Sequence, residues 1–170
     1  MQGSRTEIDM KNKITDKLFE LAYTDYMTEV QNRNAYEERL KKLRKPSANL
    51  SRMTVIVIDI NGLKEINDGF GHFCGDDAIK TVAKALRETI GAKADIYRIG
   101  GDEFVCISES NILPYISQFR DTISFLNNEK LYKRSVSVGY SPYNEKYSKT
   151  IDDMIRYADE KMYKDKKRKK

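Results

Sequence analysis

The run MTVIVIDI, Met53–Ile60, decides the fold. It is apolar almost throughout and rich in β-branched residues, which suit a pleated sheet better than the crowded turns of a helix. A run without polar alternation predicts a strand covered on both faces. Asp59 interrupts it close to its end, where a carboxylate buried without a partner would be costly.

Working outward from this strand, the upstream segment Asn34–Arg44 predicts a helix. Asn34 is its cap, Tyr36, Leu40 and Leu43 lie on one face, and Lys45-Pro46-Ser47 stops it. An earlier helical stretch runs from Asp9 to about Tyr23, with Ile14, Leu18 and Leu21 as its stripe. It reads as a lead-in helix from an upstream module, which divides the chain into residues 1–23 and a domain at 24–170. Downstream, a helical turn over Leu63–Asn67 is followed by a Gly-rich loop, Gly69–Gly75. An amphipathic helix then carries Ile79, Val82, Ala83, Leu86 and Ile90 at three- and four-residue steps.

Asp95–Ile99 and Phe104–Ser108 flank Gly100-Gly101-Asp102-Glu103, a hairpin by spacing and turn chemistry. Ile112, Ile116, Phe119, Ile123 and Leu126 mark another helix, with Pro114 in its first turn, where proline is tolerated. Ser135–Tyr140 predicts a strand. The last helix starts at Thr150, with Asp153 completing a capping box. The order α-α-β-α-α-β-β-α-β-α, with a central hairpin, predicts an α+β fold: a mostly antiparallel sheet with helices packed on it.

Composition narrows the function. Of 170 residues, 31 are basic and 26 acidic. Seven of those basic residues and one acidic residue lie in Lys161–Lys170, which leaves 24 basic against 25 acidic elsewhere. The net charge of +5 is therefore a property of the tail. That argues against a body-wide surface for nucleic acid or membrane, which needs basic residues spread over a face. No apolar run approaches the ~18 residues of a spanning helix, and no secretory leader is evident. The expected setting is the cytoplasm, with Cys74 and Cys106 as free thiols.

Asp59 at a strand end and Asp102-Glu103 at a hairpin tip can share one pocket, because sheets gather strand ends. Carboxylates so gathered suit hard cations such as Mg²⁺. The segment Asn67–Asp76 sets polar groups ahead of a helix, whose N-terminus favours anions or a capping carboxylate such as Asp76 or Asp77. His72 alone reads as a packed or hydrogen-bonded loop residue.

Together these stretches resemble the GGDEF-domain diguanylate cyclases. Gly100-Gly101-Asp102-Glu103-Phe104 follows Arg98 as the intact signature. Asp59-Ile60-Asn61-Gly62-Leu63-Lys64-Glu65-Ile66-Asn67-Asp68 is similar to D-x-D-x-F-K-x-I-N-D, and Gly71–Asp76 to G-H-x-x-G-D. Asp25-Tyr26-Met27-Thr28 through Asn32-Arg33 resembles the opening D-x-L-T-G-L-x-N-R. Ser137-Val138-Gly139 and Ala158–Tyr163 resemble the closing strand and helix, so the likeness covers roughly residues 24–166.

The resemblance implies the palm-like nucleotidyl cyclase fold. It also implies condensation of two GTP into cyclic di-GMP with release of two pyrophosphates, across a homodimer and with Mg²⁺ or Mn²⁺. By carry-over, Asp59, Asp102 and the Ile60 carbonyl hold the metal, and Glu103 sits beside the metal or the attacking hydroxyl. Gly62 and Leu63 offer amides to the triphosphate, and Gly100 and Gly101 belong to the nucleotide site. Asn67 and Asp76 read the guanine edge, where a carboxylate suits the N1–H and N2–H₂ donors. Lys166 and Lys170 meet phosphate, Lys170 supplying charge without the fork of the arginine usual there. An upstream sensory domain is the expected partner in a longer protein.

The chain departs from the pattern at several points. Asn61 replaces a second acid, Leu63 a Phe, and Glu29 a Gly. Ala92 stands where an inhibitory-site Arg is usual, which predicts no product-inhibition site, since the guanidinium fork is what grips phosphate or guanine. Asn61 also motivates an alternative, a catalytically silent GTP-binding signalling module.

Overall fold

The structure is a computed structural model that describes residues 15–127 and 132–169. Lys170, Ile14 and the first part of the lead-in helix lie outside the described residues. The elements are α1 (15–23), α2 (Arg33–Leu43), β1 (Thr54–Asn61), α3 (Leu63–Phe70), α4 (His72–Thr89), β2 (Asp95–Arg98), β3 (Glu103–Ser108), α5 (Leu113–Phe125), β4 (Ser135–Pro142) and α6 (Ile151–Arg168). This is the order expected from the sequence.

The four strands form one antiparallel sheet in the order β2-β3-β1-β4, with β1 inside it. Alternation along β1 explains its unbroken apolar run. Ile56, Ile58 and Ile60 pack with Val82, Leu86, Ile116 and Phe119 of α4 and α5. Val55 and Val57 face α2 and α6 with Leu40, Met154, Ala158 and Met162. Asp59 and Asn61 continue this second face by the two-residue period of a strand. The α6 layer therefore lies over the acids.

Local chemistry sets the helix ends. Thr150 and Asp153 form the expected capping box of α6. The α2 cap is Asn32 rather than Asn34: its side chain accepts from the Ala35 N–H at 3.1 Å and donates to the carbonyls of Ala22 and Thr24. Asn32 thus ties the start of α2 to the end of α1, whereas Asn34 lies within the helix.

The Gly-rich loop is also corrected. Gly69 lies in α3 and Gly75 in α4, and the break between them is Gly71, at φ 85°. Gly75 is small for packing: a Cβ there would lie 1.9 Å from Asn67 Oδ1. His72 is exposed at the first position of α4 and does not pack. Neither Asp76 nor Asp77 caps α4, because Gly71 does. Asp77 instead accepts from the Tyr132 hydroxyl at 2.6 Å and from Arg134 at 3.3 Å. Both cysteines are free thiols.

Candidate active site

The site forms where β1 runs out between β3 and β4. Asp59 stands opposite Glu103 in the β1–β3 register, and the Ile60 N–H donates to the Asp102 carbonyl at 3.0 Å. The two acidic stretches, over forty residues apart in sequence, thus meet at one end of the sheet. The hairpin turn is held from outside: Arg98 donates to the Gly101 carbonyl at 2.8 Å and to Asp25 Oδ1 at 3.1 Å. Asp25 also accepts from Thr28, through its N–H at 3.0 Å and its hydroxyl at 2.5 Å. The opening motif therefore buttresses the signature turn through Arg98.

Above these acids α6 delivers Lys166, whose Nζ is 2.7 Å from Asp59 Oδ1. Burial pushes the Asp59 carboxyl above its ordinary value. Asp102 and Asp159 reinforce the shift and Lys166 opposes it. Glu103 is also raised, by burial and then by Asp102, Asp59 and Asp159. Its bond to Asp59 holds the Lys166 ammonium firmly protonated. Lys166 thus faces Asp59, Asp102 and Glu103, while Asp159 adds its charge to Asp59 and Glu103, and the cluster is short of positive charge.

Sequence reading did not pick out Asp159. It lies on the exposed side of α6, and one more acid in a charged helix carries no signal of its own.

Among the described residues, no three Asp, Glu, His or Cys side chains close around a single point as a ready-made metal cage. The donor chemistry nonetheless fits a small hard cation. Mg²⁺ is commonly held by one or two carboxylates, with substrate phosphates completing the shell. Asp59 and Asp102 offer such a pair, in a cluster where burial first, and neighbouring acids after it, raise the carboxyls of Asp59 and Glu103.

Asn61 does not point a free group at this cluster. Its amide donates to Ser135 Oγ at 2.8 Å and accepts from Ser137 Oγ at 2.7 Å, so it ties β1 to β4. Gly62 follows in the left-handed region at φ 66°, a conformation glycine adopts without strain. It opens α3, whose first amides, from Leu63 onward, have no partner within the helix.

Beside this helix start lies a cleft of about 530 Å³, lined by Gly62, Ile66, Lys133, Ser135, Lys166 and Lys169 among others. Lys133 and Lys169 are additions that sequence reading missed. Helix amides and three lysines give the cleft the chemistry of a polyanion site. On the α4 side, Asn67 rests against Gly75, with the half-buried Asp76 next in sequence. The structure thus gathers Asp59, Ile60, Asp102, Glu103 and Lys166, and sets Gly62 and Leu63 beside them. Asn67 lies on α3 and Asp76 on α4, next in sequence to Gly75 where Asn67 packs.

Comparison with known proteins agrees with this architecture. Residues 22–170 match the family described as "Diguanylate cyclase, GGDEF domain". A probable diguanylate cyclase, DgcI of Escherichia coli K12, is 32% identical over 88% of this chain and 32% of its own length. A diguanylate cyclase of Vibrio cholerae is 31% identical over 97% of this chain and 53% of its own length. The chain thus spans about a third to a half of these two relatives.

Among solved structures, the coiled coil and GGDEF domain of DgcB from Caulobacter crescentus, in complex with c-di-GMP, superposes with a TM-score of 0.80. It is 23% identical, and the match covers 98% of this chain and 92% of that one. No described helix is long and apolar enough to cross a membrane. The sheet order, the signature turn beside Asp59 and a family match over nearly the whole chain lead to one assignment: the chain belongs to the GGDEF-domain diguanylate cyclase family.

Proposed function

We propose that the chain condenses two GTP into cyclic di-GMP, releasing two pyrophosphates, with each 3′-hydroxyl attacking the α-phosphate of the other nucleotide. One observation carries this reading: Lys166 joins Asp59 at the lip of the lysine-lined cleft, so acids and phosphate-facing cations stand side by side. Phosphoryl transfer asks mainly for positioning and charge neutralisation.

Cyclases of this family are generally metal-dependent. Asp59, Asp102 and the Ile60 carbonyl would hold Mg²⁺ or Mn²⁺, which supplies charge neutralisation at the reacting phosphate. Glu103, with its raised carboxyl, stands where it can accept the proton of the attacking hydroxyl. Gly62, Leu63, Lys166 and Lys133 face the triphosphate. Gly100 and Gly101 keep the turn open for close approach, and Asn67 and Asp76 read guanine. One such site holds one nucleotide, so ring closure requires a second copy of the chain. The setting is cytoplasmic, downstream of a sensory domain in a longer protein.

The test is purified chain with GTP and Mg²⁺, with product separated by chromatography at several protein concentrations. Cyclic di-GMP rising as the square of protein concentration supports both the activity and the dimer. GTP binding without product supports the silent signalling module instead. Neither binding nor product would overturn both.

A further inference from the structure

The outer edge of β4 is occupied in a regular way. Val136, Val138 and Tyr140 turn their main-chain groups away from β1, and side chains meet all three. Lys169 Nζ donates to the Val136 carbonyl at 2.6 Å, and Lys161 Nζ to the Tyr140 carbonyl at 3.0 Å. Between them Asp165 Oδ2 accepts from the Val138 N–H at 2.9 Å. The rungs on α6 are four residues apart, about 6 Å along a helix. The rungs on β4 are two apart, about 6.6 Å along a strand. The two spacings match closely enough for helix and strand to stay in step over three rungs.

Gly139 lets the two backbones approach, since a Cβ there would lie 2.0 Å from the Ala158 carbonyl oxygen and 2.2 Å from the Met162 nitrogen. Asp165 is the central rung. Its Oδ2 also receives Arg120 of α5 at 2.8 Å and Lys169 at 3.1 Å. Arg120 in turn reaches the Val138 carbonyl at 3.3 Å. Asp165 is the single acid among the last ten residues, which otherwise repel one another. The residue after it is Lys166. A slip of one helical turn would carry Lys166 about 5.4 Å along the axis, out of reach of Asp59.

We propose that Asp165 is a positioning residue: it fixes the register of α6 on β4 and so places Lys166 against Asp59 and the phosphate cleft. The placement of Lys166 at nucleotide phosphate rests on the function proposed above, whereas the register does not.

The experiment uses the full chain with Asp165→Ala, Asp165→Asn, Lys166→Ala and the double variant Asp165→Ala/Lys166→Ala. GTP and GMP are titrated by calorimetry in Mg²⁺. Asp165→Ala is expected to weaken GTP about tenfold and to leave GMP unchanged, since only the longer ligand reaches the cleft. The double variant should bind GTP no more weakly than Lys166→Ala, the signature of one residue acting through another. Asp165→Asn, which keeps an acceptor oxygen, should fall between wild type and Asp165→Ala. Equal losses for GTP and GMP, or fully additive losses, would overturn the proposal.

Hydrogen exchange at the Val138 amide and over residues 163–169 reads the register without nucleotide. It should quicken in Asp165→Ala and not in Lys166→Ala, and unchanged exchange in Asp165→Ala overturns the proposal. Quickened exchange in a protein that binds no GTP would sustain the register and fail the function alone.

Discussion

Among the described residues, Asp25 and Asp165 each gather three hydrogen-bond donors, and Asp59 has one, Lys166. Burial pushes all three carboxyls up. In Asp25 the bonds from Thr28 and Arg98 outweigh burial, and the carboxyl ends below its ordinary value. In Asp165 the Val138 amide, Arg120 and Lys169 do the same. In Asp59 burial and the neighbouring acids prevail, and Glu103 follows. The same chemical group is saturated with donors where it holds the fold, and left in deficit at the site proposed for a cation and phosphates. Perturbed carboxylates of this second kind mark functional sites more often than structural ones do.

The sharpest way to break this comparison is Asp102→Ala. Turnover of GTP should fall on the order of 10³-fold, the scale seen when a group aimed at developing charge is removed. The melting temperature should hold or rise, because a repelling charge has gone. A large loss of thermal stability would place Asp102 among the structural acids.

Asp25→Ala should do the reverse in first effect. It removes donor-saturated bonds on a half-buried carboxylate and should cost about 2 kcal/mol of unfolding free energy in urea. Turnover should fall further than stability explains, since Arg98 loses its anchor behind Gly101.

A pH series separates the pairs without mutation. The depressed carboxyls of Asp25 and Asp165 contribute stability that is present above the unfolded value, near 3.8, and is lost as pH falls through their lower folded values. The raised carboxyls of Asp59 and Glu103 oppose folding while ionised, and they protonate above 3.8 and 4.5 respectively. Activity should therefore fail at a higher pH on acidification than circular dichroism does. Coincident limbs would remove the distinction.

The smallest effect is expected at the turn that Asp25 organises. Glu29 is the one described non-glycine residue with positive φ, at 58°. Relief of left-handed strain should outweigh the entropy cost of glycine and the exposed Glu29–Arg87 pair. Glu29→Gly should therefore stabilise by about 0.5 kcal/mol in thermal melts.

Much of this molecule was legible in order and little of it in partnership. The β1 run and the capping box at Thr150 declare themselves because local chemistry decides them. The two glycines placed in a loop were misread because glycine marks turns and close packing alike, and only the Asn67 contact tells which applies at Gly75. Asn32 and Asn34 compete for one cap two residues apart, and the carbonyls of Ala22 and Thr24, set by tertiary structure, decide between them. Asp59 stood out because a carboxylate at the end of an apolar strand is costly to bury alone, and Asp102 because a sheet can bring a hairpin tip to that strand end. Asp159 and Asp165 did not, since a helix with this many charges reads as a solvated face. Lys161, Asp165 and Lys169, each four residues apart, held the only sequence trace of the edge ladder.

That ladder has a counterpart across the sheet. On the β2 side, the Gln31 N–H donates to the Ile96 carbonyl at 3.0 Å and the Arg98 N–H to the Gln31 carbonyl at 2.8 Å. An uncovered strand at either border would be a template on which another chain could crystallise into fibre. Here both borders are at least partly occupied, one by the chain's own loop and the other by charged side chains. If, as proposed, the chain meets a second copy of itself to close the ring, it can then do so through surfaces that let go, without the encounter growing into an aggregate.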